Sequence, residues 1–174
     1  MFLFVSYVAY ANSSLPKVVH SHSYPLDYEE YVTKYADEFG IDKYLVFAFI
    51  NVESGFDKDA VSSQNAIGLT QITEETFVWL KNRLEPGSET VFEDLFDPEI
   101  SIKYGAYYIS RCMDRYSQDV STRAAAYHSG WTTVDILLEE YGTETLQQFP
   151  YTQMNNYVKK INNAYKAYLD KYNR

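Results

Sequence analysis

An all-α fold, with helices packed around one buried central helix, is what this chain of 174 residues predicts. Three observations carry it. Apolar residues recur at helical spacing through most of the chain after Pro25, and no alternating run or hairpin signal competes. Start and stop residues flank the periodic runs: Asp42, Thr73 and Asp97-Pro98 as starts, Gly40, Gly55 and Gly130 as stops. One run, KYLVFAFINVES, is apolar nearly all round, which is the pattern of a buried helix.

In chain order, Tyr28, Tyr31, Val32, Tyr35 and Phe39 repeat at helix spacing up to the stop at Gly40. Asp42 caps the buried run, which Gly55 ends. DKDAVSSQNAIGLTQI, rich in small and polar residues, reads as a structured loop. Thr73 caps EETFVWLKNRL, and Pro86-Gly87 stops it. Asp97 with Pro98 opens a long helix whose face is marked by Ile102, Gly105, Ala106, Ile109, Cys112, Met113 and Tyr116. STRAAAYHSG is a short helix ended by Gly130, and Thr133 begins VDILLEEYG. The last helix has the clearest stripe: Met154, Tyr157, Val158, Ile161, Ala164, Tyr165, Tyr168, Leu169 and Tyr172.

Composition narrows the function classes. Hydrophobic residues are 46% and charged residues 22%, a globular balance. A net charge of -9 argues against holding nucleic acid through its phosphates. Tyr appears 18 times, which supplies rings with an apolar body and a hydrogen-bonding tip. The single cysteine, Cys112, excludes an internal disulfide and sits in a helical pattern as a small hydrophobe. Three histidines without clustered cysteines give no metal site, and no cofactor is expected. Residues 1–24 read as a truncated signal or anchor-like segment and linker, and 25–174 as one domain. MFLFVSYVAYA is apolar and ends in the small-x-small pattern of an export cleavage site, but it lacks a positive start and is too short to span a bilayer. An extracytoplasmic location, secreted or tethered to a membrane through a missing N-terminal segment, is the expectation. Monomer is the expected state.

Glu53 closes the buried run, in FINVESGF. Burial beside Phe49, Ile50 and Phe56 disfavours its charged form, and so does the negative end of the helix dipole. A carboxyl raised by about two pKa units, roughly 2.7 kcal/mol, would hold a proton near neutral pH as a general acid must. From placement alone, a carboxylate reaching out to water is the stronger alternative.

The surrounding motifs change that balance. Glu53-Ser54 is followed by Ala60, Ser62, Ala66, Gly68, Leu69, Gln71 and Ile72, then by Ala126, Tyr127 and Gly130, then by Tyr157 and Val158. In this order and spacing the chain resembles the lytic transglycosylases of the SLT-domain, goose-type-lysozyme-like group, from about Pro25 to Tyr172. The resemblance implies a lysozyme-like fold acting on peptidoglycan strands. It implies that Glu53 protonates the glycosidic oxygen between N-acetylmuramic acid and N-acetylglucosamine. The 6-hydroxyl of the same muramic sugar then attacks the anomeric carbon, giving a 1,6-anhydro sugar, and Glu53 takes the proton from that hydroxyl. No second carboxylate is needed, unlike the paired-acid scheme; Asp57 and Asp59 read as solvated loop acids. Ser62 and Gln71 would bond substrate or the acid, Tyr127 would sit near the carboxyl, and Tyr157 would wall the cleft.

The chain departs from the family pattern at several places. Asn65 stands where a glycine is usual and tolerates the left-handed turn. Thr70 replaces a common methionine and would cost apolar contact at the groove. His128 replaces the Asn of the AYNAG motif, a larger ring that can charge. Gln153 replaces a glutamate, which removes an anion near the acid. Trp131 fills a stretch that is usually small. His128 and Gln153 are kept as substrate-binding candidates, and their changes leave two rival readings open: a glycan-binding scaffold with impaired catalysis, and a hydrolytic muramidase.

Overall fold

Capping residues fix where the helices begin, in a computed structural model that describes residues 24–116 and 119–173. The export-like run, His20 and His22 lie outside those residues. Among them are seven α-helices: α1 (Glu29–Phe39), α2 (Lys43–Glu53), α3 (Glu74–Leu84), α4 (Pro98–Arg115), α5 (Val120–Ser129), α6 (Trp131–Tyr141) and α7 (Thr152–Tyr172). Asp42 accepts from the Tyr44 amide at 2.8 Å and opens α2. Asp97 accepts from Glu99 and Ile100 and opens α4, with Pro98 in its first turn. Each cap satisfies amides that the helix itself cannot.

One boundary and one added element differ from the sequence reading. α6 begins at Trp131, ahead of Thr133, because Gly130 at φ 77° and ψ 156° both ends α5 and starts α6. That backbone conformation belongs to glycine, so one residue turns the chain between two helices. A 3-10 helix at Phe92–Phe96, just before α4, has no counterpart in the periodic pattern.

α2 is the predicted central helix: Leu45 to Ile50 are all buried. Their large apolar side chains each contribute roughly 2 kcal/mol of transfer free energy. α5 is a second such element, with Thr122 to Tyr127 buried in sequence. α7 packs against both, and α4 receives α1, α3 and α5. The two ends of the described chain are stitched together: Tyr168 and Tyr172 donate to the carbonyls of Pro25 and Tyr24 at 2.9 and 2.7 Å.

The loop between α2 and α3 is fastened from three sides. Antiparallel bridges pair Val61 with Ile67 and Ile67 with Ile72. The Ser54 hydroxyl donates to the Leu69 carbonyl at 2.9 Å, tying the loop to the end of α2. Gly68, at φ 75°, lies so close to the 3-10 helix that a Cβ would come within 2.1 Å of the Leu95 carbonyl oxygen. Its close approach is thus to the protein's own backbone. Thr70 is fully buried and donates to the Ser101 carbonyl at 2.9 Å. This corrects the expectation that it faces the groove: it replaces apolar contact with a buried polar clasp to α4.

Candidate active site

Glu53 ends α2 on the floor of a groove of about 540 Å³. α2 delivers it there because its preceding turns, Leu45 to Ile50, are locked into the core. Glu53 is the only carboxylate among the described residues that line the groove, and no Lys or Arg lines it. Asp57 and Asp59 are exposed; Asp57 accepts from the Asp59 amide and Asp59 pairs with Lys58. Burial therefore acts on Glu53 unopposed by any cation, and pushes its carboxyl from the usual 4.5 up to about 7.

One hydrogen bond works the other way. The Tyr157 hydroxyl, from α7, donates to Glu53 Oε1 and favours the carboxylate. Burial and the neighbouring Glu53 hold the Tyr157 phenol well above its usual pKa, so it stays a donor. With Oε1 occupied by a donor, a proton on the carboxyl belongs on Oε2, which has no partner among the described residues. That arrangement describes a half-tethered acid: one oxygen fixed, the other available to the groove.

The remaining predicted residues fall into two sets. Ser62, Gln71, Tyr127, His128 and Gln153 line the groove with Glu53, whereas Tyr157 does not; it lies behind the acid, against it. Tyr127, expected beside the carboxyl, spends its hydroxyl on the Thr70 carbonyl at 2.7 Å and its ring between Phe49 and Tyr108. It braces the loop to α5. Ser62 Oγ accepts from the Gln64 and Ala66 amides. Gln71 sits at φ 49°, a conformation that costs a non-glycine residue about 1 kcal/mol. Its Nε2 donates to the Ala60 and Gly68 carbonyls, which holds it there. Asn65 takes its left-handed turn at φ 56°, as its side chain allows.

Two of the departures, His128 and Gln153, face the groove from α5 and α7. The His128 ring packs on Tyr157 with centroids 4.6 Å apart. Gln153 is exposed, and Glu53 is raised without any anion at that position. The sequence reading missed Gln64, Thr76 and Tyr108, which complete the wall. Tyr108 belongs to the apolar face of α4, and no periodicity tells a groove wall from core. Trp131 meets Trp79 edge-on at 5.0 Å. Cys112 is buried, its thiol pushed up to about 12 by that burial. Among the described residues no group of three His, Cys, Asp or Glu could hold a metal, and no helix is long and apolar enough to cross a membrane.

Comparison with known proteins follows the same outline. A family model described as the transglycosylase SLT domain matches residues 30–150. Membrane-bound lytic murein transglycosylase C of Actinobacillus pleuropneumoniae is 27% identical, over 79% of this chain and 44% of its own length. The protein of that name from Photorhabdus laumondii is also 27% identical, over 75% of this chain and 43% of its own. The chain thus spans less than half the length of these curated relatives. Among solved structures, the 70 kDa soluble lytic transglycosylase SLT70 of Escherichia coli superposes with a TM-score of 0.77 at 24% identity, over 83% of this chain and 24% of that one. An inactive glutamate-to-glutamine mutant of the lytic transglycosylase Slt of Pseudomonas aeruginosa gives 0.75 at 21% identity, over 86% and 25%. The all-α, lysozyme-like fold expected from the sequence is the fold of these neighbours.

Proposed function

The chain belongs to the transglycosylase SLT domain family, and from that premise we propose that it is a peptidoglycan lytic transglycosylase with Glu53 as its acid and then its base. The observation that carries the reading is a carboxylate that stands alone among the described groove residues, raised to about 7 and held by one oxygen. At neutral pH a large share of such a group is protonated, and it sits where a bound strand would lie.

The reaction balances with that one residue. Glu53 gives its proton to the glycosidic oxygen between N-acetylmuramic acid and N-acetylglucosamine as the bond to the anomeric carbon breaks. Positive charge spreads over the muramic ring. The 6-hydroxyl oxygen of that sugar bonds to the anomeric carbon, and its proton returns to Glu53. No water is consumed, so the absence of a second carboxylate among the groove residues fits this scheme better than a hydrolytic one. Ser62, Gln71, His128 and Gln153 contact the strand in this reading, while Tyr157 holds the acid and Tyr127 braces the loop. Residues 25–174 are the catalytic domain, and residues 1–24 an export or anchoring segment that delivers it to the cell envelope.

The test is digestion of purified peptidoglycan with mass analysis of the muropeptides. Anhydro ends, with no water added, are expected from the wild type and none from Glu53→Gln. Products one water heavier would make the protein a hydrolytic muramidase. Equal inactivity of both proteins, with both binding peptidoglycan, would make it a scaffold. Bulgecin A, found in complex with the 70 kDa soluble transglycosylase, is a second probe: it is expected to compete with the strand for the groove.

A further inference from the structure

We propose that His128 is a positioning residue for the acid, holding Tyr157 against Glu53 while its ring is neutral and opposing the reaction once the ring takes a proton. The inference rests on the reading of Glu53 as general acid. Three side chains from three helices touch in succession. The His128 ring of α5 packs on the Tyr157 ring of α7, tilted 42°. The Tyr157 hydroxyl meets the Glu53 carboxyl of α2. His128 thus acts on the acid through the phenol, and it also walls the groove into which the acid points.

Few titratable groups face the imidazole. From α2 comes Glu53, from α4 Tyr108, from its own helix Tyr127, from α7 Tyr157, and from the residue just before α7 Tyr151. α6 contributes Thr133, which does not titrate. Among the described residues, no Asp, Lys or Arg lines the groove or the adjoining hollow that shares His128 and Gln153. Ser129 Oγ lies 2.9 Å from Nδ1, an uncharged partner that serves either tautomer. Apart from Glu53, nothing fixed there neutralises an imidazolium, and partial burial already lowers the His128 pKa below 6.5.

Protonation then has two effects of one sign. A cation on the groove wall repels the positive charge that builds on the sugar ring. It also favours ionised Glu53, drawing off the proton that the first step needs. Loss of the acid proton sets the limb of the rate profile above neutral pH, and His128 sets a second limb on the acid side. An asparagine at this position has nothing to titrate, so the acid limb is particular to a chain with histidine there.

The experiment uses the full chain, wild type, His128→Phe and His128→Asn. Cleavage of peptidoglycan is followed across about pH 4.5 to 8.5, a range that brackets both groups. Wild type is expected to lose up to about tenfold in rate between its optimum and the acid end, the scale of a unit charge on an exposed, solvent-screened ring at the groove wall. Both variants lose that limb. The phenylalanine ring keeps its packing on Tyr157, so its kcat near neutrality exceeds that of the asparagine variant. A reading independent of activity comes from carbon NMR of labelled Glu53: its main inflection lies near 7, with a second at the pH where the His128 ring titrates, absent in His128→Phe. An acid limb that survives in His128→Phe, or a Glu53 signal with the same single inflection in both proteins, overturns the proposal. If wild type cleaves nothing at any pH, the proposed function fails while the carbon signal still decides the coupling.

Discussion

Replacing Glu53 with glutamine is expected to stabilise the fold, and to do so only as pH rises. The carboxyl titrates at about 7 in the folded chain against a usual 4.5. Between those values the folded chain keeps a proton that the unfolded chain has released. The stability that this proton represents is fully present below 4.5 and is lost as pH rises through 7. At 1.36 kcal/mol per pKa unit, the gap amounts to about 3 kcal/mol. Glutamine has no such dependence. The stability of Glu53→Gln relative to wild type therefore grows by about 3 kcal/mol from pH 4 to pH 8, with most of the rise between the two pKa values. In a domain of this size that is about 6 to 12 °C in Tm. The new hydrogen bond of the amide with Tyr157 adds an offset that is the same at every pH, so the slope alone carries the test. Urea unfolding of both proteins at matched ionic strength, in steps of half a pH unit, measures it. A mutant-minus-wild-type difference that stays flat from pH 4 to 8 would refute the reasoning, because Glu53 would then titrate as an ordinary exposed carboxyl. A slope of the opposite sign would mean that the fold stabilises the carboxylate.

Tyr157→Phe removes the one donor among the described residues that favours ionised Glu53; a hydrogen bond to a charged group is worth about 1.5 to 3 kcal/mol, so the basic limb of glycan cleavage should move up by about one to two pH units. Its rate–pH profile is the check, and an unmoved limb would deny the bond its role. Gly68→Ala places a methyl 2.1 Å from the Leu95 carbonyl oxygen in a left-handed conformation. A loss of about 3 kcal/mol or more in urea unfolding is expected, and a cost under 1 kcal/mol would mean that the loop and the 3-10 helix are not pressed together.

Helices were legible wherever a local signal marked them. Asp42, Asp97 and Pro98 state their positions within a few residues of sequence, and the apolar run of α2 states its burial. The same local facts supplied a cause for a raised carboxyl at Glu53, but alone they favoured one reaching out to water, and the motifs downstream reversed that balance. What escaped was pairing across distance. Tyr157 lies on the apolar stripe of α7, and nothing in that stripe says that its hydroxyl meets an acid 104 residues earlier. Thr70 looked like a groove residue because it replaces a methionine common in the family motif; a left-handed turn at Gln71 sends the two side chains apart, one to the groove and one into the core. Gly130 read as a stop and is also a start, since a glycine can serve two helices when its conformation belongs to neither.

The clasp between Tyr157 and Glu53 also sets an order in time. A ribosome releases α2 long before α7, and a chain that ends anywhere short of Tyr157 has Glu53 without its tether and without the helix that covers α2. In that state the carboxyl is expected to face water and to ionise near its ordinary value. A chain clipped before α7 keeps Glu53-Ser54 and loses both Tyr157 and the packing that raises the carboxyl.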